Sequence, residues 1–413
     1  MDFLILGSNM TRQSFFLANI LLGITLLTNA SAYATESLPT PGNIQAAPII
    51  NNPQITPAPP VLNAKAYILV DVNSGKIIAE KNSDEKLPPA SLTKMMTLFV
   101  LSNALQGNQI HLDDKVRISE QAWKTGGSRM FVKVGEQVSV EDLLKGIIVD
   151  SGNDACVALA EHVGGSESTF TEIMNQQAKN IGMTNSHFTD STGLPDPNLY
   201  TTAKDLAILG RALVNDFPQY YHWYQQKWFT YNGIRQPNRN RLLWRDNQVD
   251  GIKTGHTNDA GFCLVSSAKR DNMRLLAVIL GAPSDNSRAD DSERLLNYGF
   301  RFFETHALYQ AGKPITELPI YKGAADKIAV GVLENQFVTI PTGQYERLKI
   351  NTTVPNQIQA PIKKGDKIGE LVVTYDNNAI VTNPLYALQD IPQGGFYTRM
   401  KDSARLLWKR WVG

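Results

Sequence analysis

Cysteine is scarce in this chain, since Cys156 and Cys263 are the only two among 413 residues. Two thiols are too few for a disulfide scaffold or a cysteine-rich metal cluster, although they could form a single bridge. An excess of either charge is also absent, because 40 lysines and arginines stand against 39 aspartates and glutamates. This balance argues against a generally basic, nucleic-acid-binding protein. No internal repeat is present, which argues against a solenoid.

The apolar run near the N-terminus, Phe15–Leu27, is shorter than the roughly 20 residues that a transmembrane helix needs. An arginine precedes it, and small residues with two overlapping A-x-A sites follow it, the second ending at Ala34. A charged start, a short apolar region and an A-x-A site are typical of a secretory signal peptide. We therefore predict a signal peptide over residues 1–34, cleaved after Ala34. Export would place both cysteines in an oxidising compartment.

A proline-rich segment follows, with seven prolines in residues 35–60. Proline at this density favours an extended linker without a core of its own, so the folded part is expected to begin near Val61. The sequence does not distinguish Met1 from Met10 as the true start.

Residues 61–307 combine helical and strand-like patterns and are predicted to form one α+β domain. Apolar segments at 64–72 and 76–80 flank a Gly-containing turn and predict a β-hairpin. A capping box, Ser139-Val-Glu-Asp142, predicts the start of a helix. The predicted helices span residues 91–105, 140–149, 154–163, 169–180 and 288–304, and the predicted antiparallel strands span 249–254, 261–268 and 274–281.

Residues 308–395 change in character, because short apolar segments alternate with Gly, Pro and Asn turns. This pattern predicts a small all-β domain.

The tail, residues 396–413, has a helical period. One stripe of the helix carries Met400, Ala404, Leu407, Trp408 and Trp411, and the cations Arg399, Lys401, Arg405, Lys409 and Arg410 lie off that stripe. An apolar face opposite a basic face is typical of a helix that lies in a membrane interface and contacts anionic lipids. The alternative is a C-terminal helix that packs on the protein.

Three short motifs carry candidate chemistry. Ser91-Leu-Thr-Lys94 places a serine and a lysine on one face at a helix start, where the lysine can act as a base if its pKa is lowered. Ser151-Gly-Asn153 lies between two predicted helices, and Lys253-Thr-Gly255 ends a predicted strand before His256. Alone, each motif has a structural explanation as a helix cap, a polar turn or a strand end. Together, with serines 60 residues apart and Lys253 another 102 residues on, they form a set.

This set of S-x-x-K, S-x-N and K-T-G motifs resembles the penicillin-recognising serine acyl-enzyme superfamily. The chain is similar to low-molecular-mass penicillin-binding proteins, which are serine-type D-alanyl-D-alanine carboxypeptidases, from the hairpin near Ala64 to the basic tail. Arg239 and residues 250–257 resemble that subfamily in detail, whereas Gly152 replaces the aspartate of the β-lactamase motif. The resemblance implies a transpeptidase/β-lactamase-like domain, then a small all-β domain and an amphipathic helix.

The resemblance also implies residue roles. Ser91 would attack the carbonyl of the penultimate D-alanine, and Lys94 would take its proton, with repulsion from Lys253 lowering the pKa of Lys94. Ser151 and Asn153 would relay the proton and hold the peptide. Backbone N–H groups of Ser91 and His256 would form the oxyanion hole. The implied substrate-binding residues are Lys253, Thr254, Gly255, His256, Arg239 and Arg288, and among them Thr254 and the two arginines would hold the terminal carboxylate.

The implied partners are peptidoglycan stem peptides, β-lactam antibiotics and, through the tail, an anionic membrane surface. We expect a periplasmic protein held on the outer face of the cytoplasmic membrane, with no cofactor, no metal and no nucleic acid; a homodimer is left open. Zinc is unsupported, because Ala158 stands where an H-x-x-E-H motif ending at His162 needs its first histidine. Cys156 is expected to be a buried free thiol.

Three alternatives were weighed against this interpretation. A class A β-lactamase needs a glutamate with an asparagine four residues later between the second and third motifs, but here Gly165, Thr171 and Gln176 follow the three glutamates of that interval. A DD-endopeptidase would use the same motifs and differ in pocket shape. A non-catalytic peptidoglycan-binding protein would have no need of the serine and both lysines.

Overall fold

A computed structural model of the protein describes residues 56–412. The predicted signal peptide, residues 1–34, and the predicted linker up to residue 55 lie outside the described residues.

Helices and strands are mixed along the described chain. The strands are β1 (Ala66–Asp71), β2 (Ile77–Lys81), β3 (Lys115–Arg117), β4 (Gln137–Ser139), β5 (Trp228–Tyr231), β6 (Ile234–Pro237), β7 (Val249–Thr257), β8 (Gly261–Arg270), β9 (Met273–Ala282), β10 (Phe303–Tyr309), β11 (Pro314–Tyr321), β12 (Lys327–Gly331), β13 (Gln336–Pro341), β14 (Leu348–Thr353), β15 (Ile358–Gln359), β16 (Lys367–Tyr375) and β17 (Asn378–Ala387). The α-helices are α1 (Lys94–Gln106), α2 (Glu120–Lys124), α3 (Val140–Lys145), α4 (Asn153–Gly164), α5 (Glu167–Asn180), α6 (Ala203–Asp216), α7 (Pro218–Tyr221), α8 (Leu242–Arg245), α9 (Asp285–Phe302) and α10 (Phe396–Val412). Short 3-10 helices span Ala90–Thr93, His222–Gln225 and Tyr345–Arg347, and a π-helix spans Gly146–Asp150.

A five-stranded antiparallel sheet in the order β2-β1-β9-β8-β7 forms the centre of the first domain. Successive side chains of β1 point to opposite faces of this sheet. Ala66, Ile68 and Val70 pack into a large apolar core with α1, α4 and α6, whereas Tyr67 and Leu69 pack with α9 on the other face. The predicted hairpin and antiparallel strands are therefore confirmed, and β7 lies at the edge of the sheet.

Several predicted elements differ from the observed ones in their bounds. The helix predicted over 140–149 changes from α3 to the π-helix at Gly146, although Ser139 caps its start as expected. The helix predicted to end at 304 ends at Phe302, because Phe303 already pairs with Pro341 in a β-ladder. Helix α6 and the β5–β6 hairpin were not predicted.

The chain from Phe303 onward is rich in strands, with β10 beginning ahead of residue 308. Strands β10 and β13 pair with each other, and six further strands form a sheet in the order β14-β16-β17-β12-β11-β15. Helix α10 packs on this β region, since the Lys322 backbone N–H donates to Asp402 Oδ2 at 2.6 Å and Leu406 is buried. Among residues 56–412, no helix has both the length and the apolar character needed to cross a bilayer.

Candidate active site

The first Ser–Lys pair lies at the junction between the 3-10 helix and α1. Lys94 Nζ lies 2.9 Å from Ser91 Oγ and donates to the Thr192 carbonyl at 2.6 Å. The Lys94 side chain is fully buried (0% exposed). Burial lowers the pKa of Lys94, and the charge of Arg239 lowers it further against the opposing effects of Cys156 and Asp190. The site therefore favours a neutral amine beside the serine hydroxyl.

A second Ser–Lys pair faces the same region. Lys253 Nζ, on β7, donates to Ser151 Oγ at 2.9 Å and to the Thr254 carbonyl at 3.0 Å. Burial lowers the pKa of Lys253 well below its ordinary value, and repulsion from Lys94 adds to this effect. The sequence prediction assigned this repulsion to Lys94, but burial dominates the pKa of Lys94 and the repulsion acts chiefly on Lys253.

Ser151 and Asn153 occupy the turn between the π-helix and α4. Ser151 adopts a left-handed conformation with φ of 60°, which non-glycine residues rarely adopt. Asn153 Nδ2 donates to the Gly126 carbonyl at 2.6 Å, while its buried Oδ1 has no hydrogen-bond partner within the described residues. That oxygen is an acceptor available to a ligand.

Gly152 is the position at which the second motif departs from the β-lactamase pattern. A Cβ at residue 152 would lie 2.9 Å from Asp154 Oδ1 and 3.1 Å from the Met130 backbone nitrogen. The same Asp154 carboxylate accepts hydrogen bonds from the backbone N–H groups of Met130 and Phe131 at 3.0 and 2.9 Å. The carboxylate that holds this loop thus leaves no room for a larger residue.

A cavity of about 660 Å³ joins the three motifs. Seven of the ten predicted site residues line it, namely Ser91, Ser151, Arg239, Thr254, Gly255, His256 and Arg288. The other three, Lys94, Asn153 and Lys253, are buried and hydrogen-bonded next to it. Aromatic side chains of Trp228, Trp244 and Phe262, which the sequence analysis did not single out, also line the cavity.

The two arginines have different surroundings. Arg288 is buried, and its guanidinium donates to the Gly255 carbonyl at 2.9 Å and forms an ion pair with Asp285. Arg239 is exposed, and within residues 56–412 its guanidinium has no hydrogen-bond or ion-pair partner. Of the two, only Arg239 has its donors free for a carboxylate.

Close approach of the backbone behind Ser91 was also missed by the sequence analysis. Ala90 has a φ of 49°, and Gly193 has a φ of 86°. A Cβ at Gly193 would lie 1.9 Å from the Ala90 carbonyl oxygen. The Asp190-Ser-Thr-Gly193 run carries a recognisable turn signal, but residue type does not reveal that this turn packs against Ala90.

Both cysteines are buried free thiols, so the single bridge left open by the sequence does not form and the prediction for Cys156 is confirmed. Burial raises the pKa of Cys156 to about 12 and that of Cys263 to about 11. Within residues 56–412, no group of three or more His, Cys, Asp or Glu side chains could hold a metal ion.

The fold and the two buried Ser–Lys pairs define a penicillin-recognising serine hydrolase. Residues 53–284 match the family model described as D-alanyl-D-alanine carboxypeptidase, and residues 303–393 match that of the C-terminal domain of penicillin-binding protein 5. The chain belongs to the D-alanyl-D-alanine carboxypeptidase family.

Relatives with known names agree with this membership. D-alanyl-D-alanine carboxypeptidase DacC of Escherichia coli is 45% identical over 362 residues, which cover 86% of this chain and 90% of DacC. DacA of the same species is 41% identical, covering 88% of this chain and 92% of DacA. The crystal structure of penicillin binding protein 5 from Haemophilus influenzae has a TM-score of 0.77 and 43% identity, covering 81% of this chain and 99% of that one. The predicted family, fold class and serine-type carboxypeptidase activity are confirmed.

Proposed function

We propose that Ser91 is the nucleophile that removes the terminal D-alanine from peptidoglycan stem peptides, with Lys94 as its base. The observation that carries this proposal is the 2.9 Å distance between Ser91 Oγ and the amine of a fully buried lysine. Because burial lowers the pKa of Lys94, the neutral amine can accept the serine proton as the Oγ–carbonyl bond forms. The C–N bond then breaks, and the proton passes to the departing D-alanine amine.

Ser151 and Lys253 relay that proton from the other side of the reacting carbonyl. Their 2.9 Å hydrogen bond supports this role. Asn153 holds the peptide, since its unpartnered Oδ1 can accept a hydrogen bond from a substrate amide N–H. Backbone N–H groups of Ser91 and His256 stabilise the oxyanion.

Arg239 and Thr254 bind the terminal carboxylate of the substrate. Both line the cavity beside Ser91, and Arg239 offers a free planar fork of donors. Arg288 acts through β7, because its donors are engaged by the Gly255 carbonyl and by Asp285. Water completes the cycle by hydrolysing the acyl-enzyme, whereas a β-lactam acylates Ser91 and blocks it.

Labelling with a fluorescent penicillin, together with D-alanine release from a pentapeptide, tests these assignments. Wild type should label and release D-alanine, and Ser91→Ala should do neither. Ser102→Ala, a matched change on α1 outside the cavity, should behave as wild type. Labelling of Ser91→Ala would move the nucleophile elsewhere, and an inert wild type would overturn the catalytic proposal. A cross-linked muropeptide dimer cleaved faster than the pentapeptide would favour the endopeptidase alternative.

We further propose that the chain is exported to the periplasm through cleavage of residues 1–34. The apolar run and the A-x-A sites of the sequence support this location. N-terminal sequencing of the mature protein from its native host should begin at Thr35. A sequence that begins at Met1 or Met10 would contradict export by cleavage.

Helix α10 is proposed to hold the protein on the anionic outer face of the cytoplasmic membrane. Asp402 and Leu406 pack against the β region, but Trp408 and Trp411 are 72% and 90% exposed. Met400 and Leu407 are exposed too, so an apolar face without a protein partner stands among basic side chains. An anionic lipid surface matches both features.

Vesicle flotation tests this anchor. The protein lacking residues 398–413 should stay unbound, while the protein with the tail should float with vesicles containing phosphatidylglycerol and detach as salt rises. Ile380→Ser removes an exposed apolar residue outside α10 and should leave flotation unchanged. Flotation of the truncated protein would assign membrane binding to another surface, and D-alanine release from soluble pentapeptide should be equal in both forms.

A further inference from the structure

A second cavity, of about 460 Å³, adjoins the candidate active site. Ala90 and Thr257 line it, and they are next in sequence to Ser91 and His256, which line the main cavity. Gly193, whose close approach holds the Ala90 backbone, lines it as well. The second cavity therefore begins where the main one ends at the nucleophile.

Opposite charges share this second cavity without pairing. Lys86 Nζ lies 4.5 Å from the centre of the Tyr200 ring and forms no ion pair within the described residues. Asp259 has neither a hydrogen-bond nor an ion-pair partner in the part of the chain that the structure describes. A cation and an anion that leave each other unpaired in one cavity can each receive a ligand group of opposite charge.

The direction of the substrate connects this cavity with the reaction, and this step rests on the proposed function. With the terminal carboxylate at Arg239 and Thr254, the departing D-alanine occupies the main cavity. The acyl part of the peptide then continues past Ser91 along β7 towards Thr257. The side chain of the residue that precedes the two D-alanines is thereby brought to the second cavity.

We propose that the second cavity is a specificity subsite for a zwitterionic side chain, which carries an amino group and a carboxylate, on the residue preceding D-Ala-D-Ala. Lys86 receives the carboxylate and Asp259 the amino group. The Tyr200 ring, beneath the Lys86 amine, restricts where that amine can lie.

Four tripeptides ending in D-Ala-D-Ala test the subsite, with diaminopimelate, lysine, 2-aminopimelate or Nε-acetyl-lysine as the first residue. The readout is kcat/KM for D-alanine release, relative to the acetyl-lysine peptide. Wild type should prefer the diaminopimelate peptide about five-fold or more, a size typical of exposed charge pairs. Lys86→Gln should lower the relative value for the two carboxylate-bearing peptides two- to five-fold, and Asp259→Asn should do so for the two amine-bearing peptides.

Lys81→Ala and Asp113→Asn, exposed charges outside the cavity, are the matched controls and should keep the wild-type ratios. A general loss of activity lowers all four values together and leaves the ratios unchanged, so the ratios separate recognition from folding. Equal ratios for wild type and both cavity variants would overturn the subsite. Failure of wild type to release D-alanine from any peptide would instead overturn the proposed function.

Discussion

Ser91 depends on a backbone contact one residue away. Gly193 approaches the Ala90 carbonyl so closely that a Cβ would lie 1.9 Å from the oxygen, and both residues have positive φ. Any side chain at residue 193 must push Ala90, and with it Ser91, away from Lys94. Displacement of a reacting group by about 1 Å can slow an enzyme roughly 100-fold.

Gly193→Ala should therefore slow acylation by benzylpenicillin about 100-fold or more. Gly182→Ala is the matched control, because Gly182 has a φ of 89° and nothing within 4 Å of its Cβ position. The control bears the same backbone strain, of about 1 kcal/mol, without the clash, so its acylation rate should stay as in wild type. Stopped-flow acylation of both variants makes the comparison, and equal rates would mean that Ser91 tolerates the clash.

Asp150, which precedes Ser151, gives the fold a pH dependence. Its carboxyl is buried, and Oδ1 has no partner within the described residues. Burial raises the pKa of Asp150 to about 7, with Asp154 adding to the rise and Arg239 opposing it. Because the unfolded pKa is lower, the folded state binds this proton more tightly, and its stabilising effect is lost as pH rises through about 7.

Asp150→Asn should remove that loss. Between pH 7 and 8, the free energy of unfolding of wild type should fall by about 1 kcal/mol more than that of the variant. Urea titrations at several pH values measure the difference, and Asp113→Asn, an exposed carboxylate, should keep the wild-type slope. Parallel curves for wild type and Asp150→Asn would show that the carboxyl titrates near its ordinary pKa.

The ten predicted site residues could be found from sequence because three motifs constrain residue type and spacing together. All ten lie in or against one cavity. The Thr192 carbonyl that binds Lys94 and the close approach of Gly193 could not be found this way. Each depends on where a distant turn packs, and any residue supplies a carbonyl.

Among the secondary-structure elements, β7 carries the third motif at a sheet edge, and α9 holds it there. Arg288 on α9 bonds the carbonyls of Gly255 on β7 and Cys263 on β8 at 2.9 and 3.3 Å. This role was not visible in the sequence, which grouped Arg288 with Arg239 by charge alone. The helical periodicity of α9 could be predicted, but the partners of one arginine on it could not.

The two arginines should respond differently to mutation. Arg239→Ala should reduce kcat/KM for pentapeptide about 10- to 100-fold, mainly through KM, and leave the melting temperature unchanged, since it removes charge-assisted hydrogen bonds to substrate alone. Arg288→Ala should lower the free energy of unfolding by about 3 kcal/mol, because Asp285 loses its buried partner, and should reduce kcat more than KM. Steady-state kinetics and thermal unfolding of both variants decide, and a selective KM effect in Arg288→Ala would make it a substrate ligand.

The turn between α3 and α4 shows where periodicity fails as a predictor. Apolar residues continue through Val149, so the pattern predicts a regular helix, yet the chain widens into a π-helix at Gly146. That widening delivers Ser151 in a left-handed conformation, facing Lys253. Functional sites are where such departures concentrate, because the geometry serves the chemistry and not local preference.

At the scale of the whole molecule, a buried polar joint connects the first domain to the β region. Asp71, at the end of β1, accepts from Ser74 Oγ through Oδ1 and from Thr305 Oγ1 on β10 through Oδ2, both at 2.9 Å. Thr339 on β13 closes the network, with hydroxyl contacts of 2.6 Å to Ser74 and 2.9 Å to Thr305. Since α10 packs on the β region, this joint lies between the site at Ser91 and the proposed membrane-binding face.

Thr305→Val tests how strongly the joint holds. The change keeps the side-chain volume but leaves Asp71 Oδ2 buried without its donor, which costs about 1–3 kcal/mol. For a protein of this size the melting temperature should fall by roughly 3–8 °C. Thr342→Val, an exposed threonine just beyond β13, should change it by less than about 1 °C. Calorimetry distinguishes the outcomes: a fall in Thr305→Val alone locates coupling between the two regions in this network, whereas equal melting temperatures would mean that apolar contacts around it carry the coupling.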